Sequence, residues 1–135
     1  LDGYPGHQSR TVVVGEPNRE LVGTYNIHRD IYRATIDNCR PGTRASDIYH
    51  FASKAFNDAG IEGKINIAGH GVGAWWHQQE PYMVPAGRHT LETGMVVALE
   101  PHIGHWHLQD MVLITDGTPK LISHLINTDE MLVAG

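Results

Sequence analysis

The chain has 135 residues, 41% of them hydrophobic, which suits one globular unit spanning 1–135 with a modest core. A formal charge of -5 provides no basic stripe for a phosphate backbone, so nucleic acid is not an expected partner. No apolar stretch approaches the ~20 residues of a membrane helix, and the one cysteine, Cys39, cannot form an internal disulfide, so a soluble, cytoplasmic protein is expected.

Turn formers fill residues 1–6, and the β-branched run at 9–14 predicts a strand ending at Gly15. From about residue 18 to 38, Leu21, Tyr25, Tyr32 and Ile36 recur on one helical face until Arg40-Pro41-Gly42 stops the run. A second helix is predicted with Ser46 or Asp47 as N-cap, an apolar stripe of Ile48, Phe51, Ala52, Ala55, Phe56 and Ala59, and Gly60 at the exit. Beyond it, strands are predicted at 95–99, 111–115 and 121–126, the last two joined through Asp116-Gly117. Helices followed by a mainly antiparallel sheet give an α+β fold class.

Ten histidines in a small acidic chain exceed what packing usually explains, which makes metal binding and proton transfer worth testing. His28, His50, His89 and His124 stand alone in the sequence and read as surface or half-buried polar groups. In Gly69-His70-Gly71-Val72-Gly73 the glycines allow a sharp backbone turn that would leave the imidazole accessible to a metal or substrate. His77 follows seven residues later behind Trp75 and Trp76, where the competing reading is an aromatic loop packed on the core. Leu99-Glu100-Pro101 ends an apolar strand with a carboxylate, which is costly to bury unless paired, protonated or metal-bound. His105, His107 and Gln109 alternate and would share one face of a strand, lining a polar cavity if inward and merely wet if outward.

Taken in order, Gly-His-Gly-x-Gly, a histidine at plus seven, Glu-Pro, and the Gln109-Asp110-Met111-Val112 strand resemble the creatinase, aminopeptidase P and methionine aminopeptidase superfamily. The front end is similar too: Gly3-Tyr4, Ser9-Arg10-Thr11 and Val12-Val13-Val14-Gly15 resemble the family's Gly-Tyr-x-x-Asp-x-x-Arg-Thr strand, and Arg40-Pro41-Gly42 its helix-ending Arg-Pro-Gly. The resemblance implies the pita-bread fold, as an incomplete copy lacking its first strands, and hydrolysis of a carbon-nitrogen bond in a small amide, amidine or peptide-like substrate. It places His70 on the family's ligand histidine, Glu100 on its first ligand glutamate, and His77 on its substrate-facing histidine.

Two departures follow from the same comparison. His7 stands where the motif has its bridging aspartate, and Gln109 where it has its bridging glutamate. The other aspartate would precede residue 1. An imidazole and a neutral amide cannot offset two neighbouring dications, so the two-metal site is expected to be lost. One Zn, Fe or Mn ion on His7, His70 and Glu100, completed by Gln109, His105 or His107, is the expected replacement, and a metal-free, creatinase-like route through His70, His77 and Glu100 is the alternative. Trp75, Trp76, His105 and His107 are the candidate substrate-binding residues. Rival readings are a non-catalytic pseudo-peptidase that binds peptides, and a lyase of the same superfamily. The family also leaves room for a homodimer and for an upstream segment of the same protein as partner.

Overall fold

The computed structural model describes residues 2–74, 78–123 and 125–135. Two helices, α1 (Arg19–Asp37) and α2 (Ala45–Asp58), precede most of the strands. A five-stranded sheet runs in the order β3 (Gln79–Met83), β2 (Gly69–Gly71), β4 (Val96–Leu99), β5 (Asp110–Leu113), β6 (Lys120–Leu121), every pair antiparallel. A separate two-stranded parallel pair joins β1 (Val12–Val14) to β7 (Leu132–Ala134). The α+β architecture expected from the sequence is therefore present. Among the described residues no helix is long and apolar enough to cross a membrane.

Asn18 caps α1 by accepting the backbone N–H of Leu21 at 2.9 Å, and Glu20 in the first turn complements the helix dipole. The buried face of α1 carries Tyr25, His28, Tyr32, Thr35 and Ile36. His28 was expected at or near the surface, yet it is fully buried, because positions 25, 28 and 32 fall on one face at spacings of three and four. Its ring stacks on Phe56 with centroids 5.4 Å apart, and Nε2 donates to the Pro101 carbonyl at 3.2 Å. Burial drives its pKa down to about 4. Cys39 behaves as the expected buried hydrophobe, its thiol pushed up to about 12 by burial.

α2 begins earlier than the polar residues suggested, with Arg44 as an N-cap that makes no side-chain capping bond. Tertiary pairing sets this start: Arg44 bridges Thr90, and Ala45 N–H donates to the His89 carbonyl at 2.9 Å. The buried arc of α2 is Ala45, Ile48, Tyr49, Ala52 and Phe56. Phe51, expected on that arc, is exposed, since at ~100° per residue it sits past the edge defined by Ile48. Ala59 is likewise exposed, as the C-cap beyond the last turn. With Met83, Leu91, Val97, Leu99, Val112 and Ile114 these faces form the core between helices and sheet.

Two predicted strands are shorter than their sequence runs. Residues 9–14 contribute only β1 to a ladder, because Ser9 bridges Gln109 of the larger sheet before the chain moves over to pair with β7. Residues 121–126 pair with β5 only as far as Leu121 and the Ile122 N–H, after which the carbonyls of Ile126 and Asn127 accept from Arg10.

At the start of β5, Asp110 is fully buried and accepts from Arg10 at 2.8 Å, Tyr32 at 2.7 Å, Ser123 at 2.8 Å and Gln8 at 3.0 Å. This carboxylate ties the amino-terminal segment, α1 and the segment after β6 to the sheet. Removing one member of such a buried pair leaves the other charge without compensation, which costs about 3–5 kcal/mol. Arg10→Met is expected to lower the unfolding free energy by that amount in urea titration; a loss under about 1 kcal/mol would show that the pair is not structurally required.

Candidate functional site

Three adjacent strands bring the candidate residues together. His70 is the central residue of β2 and pairs with Ala98 of β4; Glu100 follows directly after β4; Gln109 precedes β5, whose Asp110 pairs with Leu99. The Ser9–Gln109 bridge then delivers His7 beside them. Pro101 lacks an N–H and cannot extend the ladder, which leaves Glu100 as the last side chain of its strand.

The glycines around His70 act differently from the expected turn. Gly69 and Gly71 lie within β2, whose three residues are all buried. A Cβ on Gly71 would sit 2.2 Å from the Glu80 carbonyl oxygen, and one on Gly69 2.6 Å from that of Ala98. Their role is close approach of neighbouring backbones. His70 is correspondingly buried rather than exposed, with Nδ1 2.9 Å from the Gly71 carbonyl. A carbonyl only accepts, so Nδ1 carries the proton and Nε2 is the nitrogen turned toward Glu100.

Glu100 is the centre of the cluster. Its Oε1 lies 3.4 Å from His70 Nε2, and its Oε2 lies 3.4 Å from His107 Nε2 and accepts from Gln109 Nε2 at 2.9 Å. The same Gln109 amide nitrogen is 2.8 Å from His7 Nδ1, and the His7 and His70 rings meet edge-on with centroids 5.2 Å apart. Burial pushes the Glu100 carboxyl up, but the close approach of His107 and the charges available on His70, His107 and His102 outweigh it and hold the group below its ordinary value. Glu100 is thus a buried anion at neutral pH.

The structure gathers His7, His70, Glu100, Gln109 and His107, all of them candidates on the sequence pattern. His105 stays exposed, since residues 105–109 form no regular strand and the expected shared face does not exist. His77, Trp75 and Trp76 lie outside the described residues. Sequence reasoning missed His102, which stands beside His107 with ring centroids 4.9 Å apart and Nδ1 3.3 Å from the Glu100 carbonyl. Its signal was the Glu100-x-His102 spacing, which places both side chains on one side of an extended chain.

The sequence profile of metallopeptidase family M24 matches residues 1–116. The chain belongs to that family. Over 120 residues it is 32% identical to the probable dipeptidase PepE of Mycobacterium tuberculosis, which covers 84% of this chain and 32% of that protein. It is 37% identical over 103 residues to the Xaa-Pro dipeptidase of Lactobacillus delbrueckii subsp. lactis, covering 76% and 28%. The crystal structure of dipeptidase PepE from Mycobacterium ulcerans superposes with a TM-score of 0.85 at 28% identity, over 98% of this chain and 36% of that one. The chain therefore spans about a third of the length of the M24 relatives it matches. The pita-bread fold is shared with them, and M24 metallopeptidases use divalent metals.

The depressed Glu100 pKa carries a sign. Its interactions stabilise the fold above the ordinary value of 4.5 and are lost as pH falls through the lower folded value. Glu100→Gln is expected to flatten the acid limb of stability below about pH 4.5, measured by urea unfolding from pH 6 to 3; an unchanged acid limb would refute the assignment.

Proposed function

We propose that this chain is part of a peptidase-type hydrolase that holds the carbon-nitrogen bond of a peptide-like substrate against His70 and Glu100, with no more than one divalent cation in place of the family's two. The observation that supports it most is the buried His70–Glu100 contact at 3.4 Å, flanked by His7 and Gln109.

The two-metal arrangement does not fit these residues. A carboxylate only accepts, so the group that Gln109 turns toward Glu100 is its NH2, and the hydrogens of that amide face Glu100 and His7 where a bridging anion would be required. The nearest sequence neighbour that could supply a second carboxylate, Asp110, is spent on Arg10, Tyr32, Ser123 and Gln8. One dication beside Glu100 is compatible with the charge, and the resemblance would give it His7 and His70 as further ligands with Gln109 adjacent. When bound, one such ion supplies a Lewis acid for the scissile carbonyl.

The chain's own groups have separable tasks. Glu100, kept anionic, attracts a positively charged substrate group or a cation. His70, with Nδ1–H fixed on the Gly71 carbonyl, offers Nε2 for proton transfer. Beside His7 a cavity of about 270 Å³ is walled partly by Met111, Ile122 and Leu125, which suits an uncharged, apolar substrate side chain. A metal-free route remains the second reading, favoured by the same Gln109 amide hydrogens that crowd a cation on the His7 side.

The test uses the protein that carries this chain, Xaa-Pro and other dipeptides, and elemental analysis. No more than one equivalent of metal is expected even with excess Mn2+ or Co2+, and His70→Ala and Glu100→Gln should each lower kcat/KM by about 10²–10⁴. Two tightly held equivalents, or undiminished turnover in both variants, would overturn the reading.

A further inference from the structure

We propose that Glu100, His102 and His107 form a seat for one divalent transition-metal ion, at the carboxylate oxygen that faces His107 rather than the one that faces His70. The inference rests on the metal-bearing form of the hydrolase reading and changes where the ion sits. Each of the three residues offers one ligand atom, and these atoms lie within 4.8 Å of one another. His107 Nε2 and Glu100 Oε2 are already 3.4 Å apart, about the separation of two ligand atoms around a tetrahedral ion with bonds of ~2.0–2.1 Å. His102 and His107 are half-buried.

Three features support the seat. The buried His107 Nε2 has no hydrogen-bond partner among the described residues, although a carboxylate oxygen faces it. A carboxylate oxygen only accepts, so either the ring's own N–H or a bound cation lies between it and His107 Nε2. Both rings have their other nitrogen engaged as ligand histidines usually do: His107 Nδ1 lies 3.3 Å from the Ser9 hydroxyl, and His102 Nδ1 donates to the Glu100 carbonyl at 3.3 Å. Between His7 and Glu100, by contrast, the Gln109 NH2 already lies 2.8 Å from His7 Nδ1 and 2.9 Å from Glu100 Oε2, and its hydrogens would repel an ion placed between those two residues. A two-histidine, one-carboxylate set is a donor combination for Zn2+ or Fe2+ that leaves positions open for water or substrate.

Isothermal titration with Zn2+ and the visible spectrum of the Co2+ form decide the matter on the protein carrying this chain. The expected result is one equivalent, with His102→Ala and His107→Ala each weakening Zn2+ binding by at least about 100-fold and altering the Co2+ bands, while His7→Ala changes affinity by less than about 3-fold. His102→Gln, which keeps a polar side chain, should weaken binding alongside His102→Ala, and the melting temperature of both metal-free variants checks that they fold. Retained affinity in folded His102 and His107 variants with loss in His7→Ala would overturn the seat. So would the absence of Zn2+ binding by the unaltered protein, which would make His107–Glu100 a plain ion pair. The hydrolase reading fails separately: peptide turnover that persists in chelator sustains it without the seat, and Zn2+ bound at the seat with no turnover of any peptide or amide sustains the seat without it.

Discussion

The buried charge pair between Arg10 and Asp110 is the constraint on which the rest of the site depends. Both side chains are almost wholly removed from water, and such a pair persists only where the remaining lone pairs and protons are also satisfied. Tyr32, Ser123 and Gln8 complete the carboxylate, while the guanidinium donates to the carbonyls of Ser9, Gln109, Ile126 and Asn127. Those partners come from four separated parts of the chain. Satisfying one buried anion therefore fixes the register of residues 7–10 against 109–111, and that register sets where His7, His107 and Gln109 stand around Glu100.

Around Glu100 the charge balance runs the other way. Asp110 is neutralised within the fold by a permanent cation, whereas Glu100 faces groups that are neutral or only conditionally charged: an amide and three imidazoles. The site thus keeps one anion with unspent capacity, and with it a capacity for a cation or a proton. A bridging carboxylate at Gln109 would double that negative charge. The amide instead supplies two hydrogens and links Glu100 to His7 in a hydrogen-bonded partition. The M24 fold is shared, but the fold alone does not fix the chemistry of its centre.

Much of this was legible in the sequence. The period of Tyr25, Tyr32 and Ile36, the turn residues 40–42, and the apolar run ending at Glu100-Pro101 determined two helices, the central strands and the abrupt presentation of one carboxylate, because local periodicity and the missing proline N–H act within a few residues. The ordered motifs determined the family, and the sequence placed an imidazole at position 7 and an amide at position 109. Tertiary structure alone decided the rest. It seated His28 in the core, withdrew His70 from solvent, left His105 outside, and brought His102 and His107 to the same oxygen-bearing side chain. Those outcomes depend on strand register and on contacts between residues tens of positions apart, and spacing along the chain carries no information about which partners will satisfy a buried charge.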